Sequence, residues 1–238
     1  MASLALAVSA NAAVVNWQTP SAITGDTDVA TTGTLVGAFL PGSNPLGTTV
    51  NGVEFTTVNV QNAWNDTTTL SLAFGSVATL AGQPSLYGFN QYEGGGTPSG
   101  LSADYTKLFS GGVGPATTTN YIYLTLNNLT IGQEYLFQSW ANDSRAEQSA
   151  RSQTITANTF GGSESGALDY NLSNLDGGTG SFVIGTFTAN ATSQVMLYSS
   201  PGYAQINAFQ LRAVPEPSSF AMVLGGIATL LRRRRRVA

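Results

Sequence analysis

The 238-residue chain contains no cysteine and no histidine. Without these residues, a Ser-His-Asp or Cys-His triad, a zinc site of the usual His/Cys type and an iron–sulfur cluster are excluded. The single lysine is Lys107, and the sequence has no GxxxxGK[ST] motif, so a P-loop is absent too. A chain of this length buries a sizeable core without disulfides, which are optional even in an oxidising compartment.

Charged residues are also scarce, at 9% of the chain against about a quarter in an average protein. Five of the nine basic residues form one run near the end of the chain. Residues 14–213 keep four cations against twelve carboxylates, a formal charge of −8. Four scattered cations in an acidic body cannot neutralise a track of phosphates, so no nucleic acid is expected among the partners.

The first residues have the pattern of the second half of a secretory signal peptide. Leu4–Val8 is a short apolar run, and Ala10–Ala12 fits the small-x-small cleavage rule. The positive segment that normally precedes the apolar run is missing, and a start codon assigned too late would explain this. We therefore interpret residues 1–13 as a residual signal peptide, with a disordered alanine-rich terminus as the alternative.

The last residues, 214–238, form a tail with three parts. Val214, Pro215, Glu216 and Pro217 make a stiff segment, because each proline fixes φ and disfavours helix at the residue before it. The apolar stretch 220–231 follows, and the tail then carries Arg232, Arg233, Arg234, Arg235 and Arg236.

The apolar stretch predicts a short C-terminal hydrophobic helix. Twelve helical residues span about 18 Å, less than the ~30 Å hydrocarbon core of a bilayer. Flanking serines and snorkelling arginines would still allow a marginal transmembrane anchor. The positive-inside rule would then keep the arginines in the cytoplasm and leave the body of the protein outside.

This tripartite tail resembles the PEP-CTERM protein-sorting signal of Gram-negative bacteria. The resemblance implies recognition by exosortase, a transpeptidase-like membrane enzyme that cuts near the motif and releases the protein or transfers it to the cell surface, often alongside exopolysaccharide. By the same resemblance, Pro215, Glu216 and Pro217 are recognition residues, and the apolar and arginine segments hold the tail in the inner membrane. An ordinary tail anchor is the alternative.

The implied route gives a list of partners and locations. The Sec translocon exports the chain, the inner membrane holds it transiently, and exosortase processes it. The protein is then expected at the cell surface or in the extracellular space, where polysaccharide is a candidate partner.

Residues 14–213 predict an all-β domain. Short β-branched and aromatic runs alternate with Gly, Asn and Pro, and no long stripe of period 3.6 is present. Residues 121–126 and 181–188 alternate with period 2, which is typical of antiparallel sheets with one face in water. The predicted strands are Thr34–Leu40, Val53–Val60, Thr69–Phe74, Tyr121–Leu126, Tyr135–Ala141, Gln153–Ala157, Ser181–Thr188, Gln194–Ser199 and Ala204–Arg212.

Nine strands without a βαβ rhythm favour an antiparallel β-sandwich, of which a jelly roll is the preferred version. A β-solenoid is the alternative, but the sequence has no fixed internal period. One short helix is predicted at Ala103–Phe109, with Ser102 as its N-cap.

The second half of the domain resembles the galactose-binding-like jelly rolls of secreted bacterial proteins, and more distantly carbohydrate-binding modules. The resemblance rests on the L-x-x-G-x-x-Y unit at Leu129–Tyr135, the polar corner at Asp143–Arg145 and the closing strand Asn207–Arg212. It implies the fold, whereas a function cannot be taken from fold analogy.

The corner after the predicted strand Tyr135–Ala141 is the candidate ligand site. In one interpretation Trp140 stacks on a pyranose face, while Asn142, Asp143 and Arg145 line the site and bind hydroxyls. In the other, Trp140 belongs to the core, and Asp143 caps backbone amides and pairs with Arg145 or Arg151. Both interpretations stay open on the sequence alone.

Three further features complete the candidates. Trp64–Thr67 and Gly88–Gly96 have the composition of aromatic loops at a carbohydrate-facing rim. Asp26 and Asp28 loosely resemble calcium ligands without the EF-hand spacing, so a structural calcium has no assigned ligand set and no cofactor or metal residue is predicted. Thirteen acidic residues allow many carboxylate pairs, but none lies in a catalytic motif.

We therefore expect an exported, non-catalytic protein of the cell surface or the extracellular matrix, associated with exopolysaccharide. A discrete carbohydrate-binding module is the first alternative. A glycoside hydrolase that uses two carboxylates is the weaker one.

Overall fold

The computed structural model describes residues 13–60, 71–82, 86–90, 96–115, 121–146, 150–158 and 161–215. The predicted signal-peptide residues 1–12 and the tail residues 216–238 lie outside this part of the chain. The strands are β1 (Asn16–Trp17), β2 (Ser21–Ala22), β3 (Thr34–Gly42), β4 (Thr48–Val50), β5 (Val53–Asn59), β6 (Ser71–Phe74), β7 (Ala78–Gly82), β8 (Leu86–Asn90), β9 (Gly111–Pro115), β10 (Tyr121–Leu126), β11 (Glu134–Ala141), β12 (Ser152–Ala157), β13 (Leu168–Asp169), β14 (Ser181–Thr188), β15 (Gln194–Ser199) and β16 (Ala208–Val214).

The strands form two large sheets and one small one. The eight-stranded sheet has the order β1-β14-β11-β16-β3-β5-β4, with β2 also paired to β14. The six-stranded sheet has the order β13-β12-β15-β10-β7-β6, and β8 pairs with β9. Among the described strands, the pairing is antiparallel except between β3 and β5, which run parallel. The predicted antiparallel sandwich is confirmed, with this one parallel exception.

The order of the strands is that of a jelly roll. From β10 to β16 the chain alternates between the two large sheets, except that β12 and β13 are neighbours in the six-stranded sheet. The strands β3-β16-β11-β14 face β10-β15-β12-β13. Many neighbouring strands are therefore distant in sequence. The central strand β16 lies between β11 and β3 in the eight-stranded sheet.

The main core fills the space between the large sheets. Phe209 of β16 lies with its ring centroid 5.3 Å from that of Phe39 and 5.0 Å from that of Phe74. Phe137 of β11 extends this group, 6.3 Å from Phe209. All four side chains are buried. Offset and edge-on aromatic pairs at these distances stabilise a core beyond the area they bury.

A second apolar cluster covers the outer face of the eight-stranded sheet. Trp140 and Ala208 point to this side, where they pack with the helix α1 (Ala103–Lys107) and with Val29 and Phe55. The expectation that one face of the sheet lies in water is therefore wrong for the centre of this sheet, because β11 is buried along both faces. The period-2 pattern reports one buried face only when the other face is left uncovered.

Eight of the nine predicted strands match an observed strand to within two residues at each end. The exception is Ala204–Arg212, because β16 begins only at Ala208. Before that residue the chain bonds elsewhere: the Ile206 amide and carbonyl pair with Val113, and the Asn207 side chain donates to the carbonyl of Gly111. The closing strand is shifted towards the tail and ends at Val214.

The prediction missed seven strands, namely β1, β2, β4, β7, β8, β9 and β13. The pair β8 and β9 shows why. Residues Gly111–Pro115 include three glycines and a proline, a composition that disfavours strands. Their close approach requires this composition, because a Cβ at Gly112 would lie 2.3 Å from the Phe89 ring and one at Gly88 would lie 2.3 Å from the Val60 carbonyl. Gly88 and Phe89, expected in a loop, belong to β8.

The predicted helix is present as α1. Its N-cap is Ser102, whose hydroxyl accepts a hydrogen bond from the Tyr105 amide at 3.0 Å. Within the described part of the chain, no helix has the length and apolar character required to cross a bilayer. The predicted hydrophobic helix of the tail lies outside the described residues.

Candidate functional site

Trp140, the predicted sugar-stacking residue, is a core residue. Its side chain is 0% exposed, and its ring packs edge-on against Phe55 with centroids 5.8 Å apart. The indole N–H donates to the hydroxyl of Tyr105 at 3.0 Å. Because no face of the ring is open, the stacking interpretation is wrong for this residue, and the core interpretation holds.

The Tyr105 hydroxyl, which accepts from Trp140, also contacts the turn at Asp26–Asp28. It donates to Asp28 Oδ2 at 3.0 Å, and burial together with the charge of Asp28 raises the pKa of Tyr105, so the phenol stays protonated. This chain of hydrogen bonds ties β11, α1 and the turn together across the outer face of the sheet.

The two aspartates of that turn are occupied by protein donors. Asp28 accepts from the amides of Thr24 and Gly25, and Asp26 accepts from the Ser102 hydroxyl at 2.6 Å. Among the described residues, no group of three or more acidic residues is placed to hold a metal ion. The structural calcium thus gains no ligand set and stays a prediction.

Asn142 and Asp143, directly after β11, are both buried in the corner. The Asn142 amide donates to Asn207 Oδ1 at 2.8 Å, and its side-chain oxygen accepts from the Gly180 amide at 2.7 Å. The Gln205 side chain donates to the Asn142 carbonyl at 2.8 Å. Side-chain amides therefore satisfy the backbone where the sheet hydrogen bonds stop.

Asp143 and Arg145 form the interaction that the structural interpretation predicted. Arg145 donates from Nε to Asp143 Oδ1 at 2.9 Å and from Nη2 to Oδ2, a bidentate pair. The Arg145 amide also donates to Oδ1 at 3.2 Å, which is the expected backbone cap. The hydrogen bonds to Asp143 raise the pKa of Arg145 above its ordinary value. The side chain of Asp143 is only 5% exposed, whereas that of Arg145 is 43% exposed.

A second arginine approaches the same carboxylate. Arg151 Nη1 lies 4.0 Å from Asp143 Oδ2, and its guanidinium carbon lies 5.8 Å from the centre of the Tyr203 ring. Tyr87 is buried nearby; burial raises its pKa, Tyr203 raises it further, and the two arginines oppose the shift. We call Tyr87, Asp143, Arg145, Arg151 and Tyr203 the arginine cluster.

Tyr170 and Asn171 hold the backbone of the arginine cluster in place. Tyr170 accepts at its carbonyl from the Asp143 amide (2.8 Å) and donates its own amide to the Arg151 carbonyl (3.1 Å). Its hydroxyl donates to the Tyr203 carbonyl at 2.7 Å. The Asn171 side chain donates to the Arg145 carbonyl at 2.8 Å. Four separate chain segments are thus fixed relative to one another.

The arginine cluster concentrates the positive charge of the body. Lys107 pairs with Asp104 at 2.8 Å on α1. Arg212 is buried and donates to the carbonyls of Thr31, Thr32 and Gly33. Of the four cations in residues 14–213, Arg145 and Arg151 are the two that meet, and they meet at one carboxylate.

The sequence predicts only part of this site: Asp143 and Arg145, with Arg151 as an alternative partner of Asp143. Tyr87 and Tyr203 were missed, because their only link to the corner is the fold. Of the predicted aromatic loops, Trp64–Thr67 and residues 91–95 lie outside the described part of the chain.

The Ser144 hydroxyl is buried and, among the described residues, has no hydrogen-bond partner. Because an unsatisfied buried hydroxyl costs about 1–3 kcal/mol, we expect Ser144→Ala to leave the free energy of unfolding unchanged or to raise it by up to about 1 kcal/mol. Urea unfolding measures this. Ser139→Ala is the control, since the Ser139 hydroxyl pairs with that of Tyr198 at 2.9 Å and its loss should destabilise the fold.

The fold and the site define a jelly-roll β-sandwich with one cationic cluster on an acidic body. Comparison with family models, curated proteins and solved structures gives no match to the chain.

Proposed function

We propose that the chain is an exported, non-catalytic protein of the cell surface or extracellular matrix, cut by an exosortase at the segment Val214–Pro217. The observation that carries this proposal is the end of β16. The strand ends at Val214, which is paired with Glu134 of β11. The Val214 carbonyl also accepts a hydrogen bond from Gln133 Nε2 at 2.6 Å. Pro215 is exposed.

The position of this boundary matters because β16 is a central strand. A cut within or after the Pro-Glu-Pro segment leaves both partners of β16 paired and the core intact. A cut a few residues earlier would remove part of the sheet. The proposed processing point thus lies directly after the last residue of β16.

Processing is tested by the mass of the mature chain. Expressed with a complete signal peptide in a Gram-negative host that has an exosortase, the chain should be shortened at its C-terminus and lose Arg232–Arg236. With Pro215, Glu216 and Pro217 all changed to alanine, the chain should keep them. Intact-mass spectrometry of the cell-surface and medium fractions measures both.

The matched control is the same pair of chains in a host without the exosortase, where both should keep the arginines. An unprocessed wild-type chain in the presence of the enzyme would contradict the proposal. Equal processing of the alanine variant would contradict the assigned role of the Pro-Glu-Pro segment.

A carbohydrate-binding module is the second candidate, and the arginine cluster favours it. Half-exposed guanidiniums beside tyrosines are groups that bind sugar hydroxyls and carboxylates. The weaker hydrolase alternative requires two carboxylates about 5–10 Å apart across a substrate. Asp143, the acidic residue of the corner, is already bound by Arg145. Turnover of a polysaccharide, abolished by one carboxylate change, would favour the enzyme instead.

A further inference from the structure

The arginine cluster contains two cations, but its carboxylate needs only one of them for charge balance. Asp143 has both carboxylate oxygens bound by Arg145, so the fork of Arg145 alone neutralises it and satisfies its hydrogen bonds. Arg151 lies 4.0 Å from the same carboxylate, beyond hydrogen-bond distance. The three charged groups therefore have a net charge of +1.

The donors of Arg151 are unused within the described part of the chain. Its guanidinium contacts the Tyr203 ring and the charge of Asp143, and none of its N–H groups donates a hydrogen bond to a described residue. Its side chain is 37% exposed. A planar guanidinium carries five N–H donors and matches a carboxylate in charge and in bidentate geometry.

The two guanidiniums are close enough to share one anion. Because Arg145 Nη2 and Arg151 Nη1 lie 2.5 and 4.0 Å from the same oxygen, the two nitrogens are at most about 6.5 Å apart. Charge-assisted hydrogen bonds are about 2.7–2.9 Å long, so a single carboxylate can accept from both nitrogens.

The site is also held rigidly before any ligand arrives. The backbone bonds from Tyr170 and Asn171 fix the segments that carry Arg145, Arg151 and Tyr203. The ring of Tyr203 holds the Arg151 guanidinium at 5.8 Å. Less conformational freedom is then lost on binding, which favours affinity.

We propose that Arg145 and Arg151 bind the carboxylate of a uronic-acid residue in an acidic polysaccharide. This inference rests on the proposed function for its setting, since a matrix protein is surrounded by polysaccharide. Two cations suit one carboxylate per site rather than a continuous track of phosphates. The formal charge of −8 on residues 14–213 repels polyanions elsewhere, so a uronate polymer is held here and not along the whole surface.

The test is calorimetric titration of the full chain, in which Arg232–Arg236 are changed to glutamine so that this basic run does not itself bind the acidic oligomers. The titrants are a galacturonate hexamer, its fully methyl-esterified form and a glucuronate oligomer. We expect binding of an acidic oligomer and at least tenfold weaker binding of the ester, which has the same sugar rings without the charge. Raising the sodium chloride concentration from 50 to 500 mM should lower the affinity for the acidic oligomer at least threefold, because salt screens the charges of the half-exposed arginines.

Arg151→Gln is the decisive variant. Since Arg151 donates no hydrogen bond to a described residue and its contacts with Tyr203 and Asp143 are half-exposed, the melting temperature of the variant should stay within about 3 °C of the wild type. The affinity of the variant for the acidic oligomer should fall at least tenfold. Lys107→Gln is the matched control: it removes the same charge from α1, and its affinity should change less than twofold.

Three results would overturn the proposal: no binding of either acidic oligomer, equal binding of the acid and its ester, or an unchanged affinity of Arg151→Gln. Each leaves the proposed sorting untouched, because C-terminal processing is measured independently by mass. Conversely, an unprocessed tail together with Arg151-dependent binding would preserve this site and reject the sorting route.

Discussion

Replacing Trp140 with alanine should destabilise the fold by about 3–5 kcal/mol, the usual cost of removing a large buried aromatic side chain. Trp140 is 0% exposed, packs against Phe55 and Phe182, and donates its indole N–H to Tyr105. A total stability of about 5–15 kcal/mol makes this a large fraction. For a chain of this length, the melting temperature should fall by roughly 6–20 °C.

Two control variants separate the contributions. Trp140→Phe keeps most of the ring but loses the hydrogen bond to Tyr105, and should cost about 1 kcal/mol from that bond alone. Leu175→Ala removes a side chain that is 66% exposed and should change stability by less than about 0.5 kcal/mol. If Trp140→Ala melted within 1 °C of the wild type, Trp140 would not be the core residue described here.

The strands could be predicted because they carry a local signal. Tyr121–Leu126 alternates between half-buried and buried residues as the sequence pattern indicates, and Ser181–Thr188 does the same. The order of the strands carries no such signal. Which strand lies beside β16 depends on contacts between residues far apart in the sequence. The number and spacing of the strands predicted the sandwich but not the order of its strands.

The short strand pairs show where a local signal was present but unused. β4 and β5 are joined by Asn51 and Gly52, both with positive φ, the two-residue turn that an Asn-Gly pair favours. That dipeptide could have identified the hairpin. For β8 and β9 no such signal exists, since glycines chosen for close backbone contact have low intrinsic preference for strands.

The candidate site divides in the same way. Asp143 and Arg145 are two residues apart, so their pairing follows from short-range geometry and was predicted. Trp140 precedes them by only a few residues, yet it points to the outer face of the sheet, where α1 covers it. Arg151 and Tyr203 meet only because β12 and β15 are neighbours. Sequence proximity thus suggested the wrong aromatic residue for the site.

Removal of the strand β16 has the second large expected effect on stability. A chain that ends at Asn207 lacks all of β16 and should show no cooperative unfolding transition. It loses the buried residues Phe209 and Leu211, and it leaves β11 and β3 with unpaired backbone groups in the middle of a sheet. Each buried group without a partner costs about 1–3 kcal/mol, so a few of them exceed the total stability of about 5–15 kcal/mol.

A chain that ends at Pro215 is the matched control, and it should unfold at the same urea midpoint and with the same m-value as the full chain. It keeps the pairing of Val214 with Glu134 and the hydrogen bond from Gln133 to the Val214 carbonyl. Circular dichroism during urea and thermal unfolding compares the three chains. A cooperative transition in the chain that ends at Asn207 would contradict the requirement for β16. A lower midpoint in the chain that ends at Pro215 would show that residues after Pro215 contribute to stability. The proposed processing requires that removal of the tail at the Pro-Glu-Pro segment leaves the stability of the body unchanged, and a lower midpoint would contradict this.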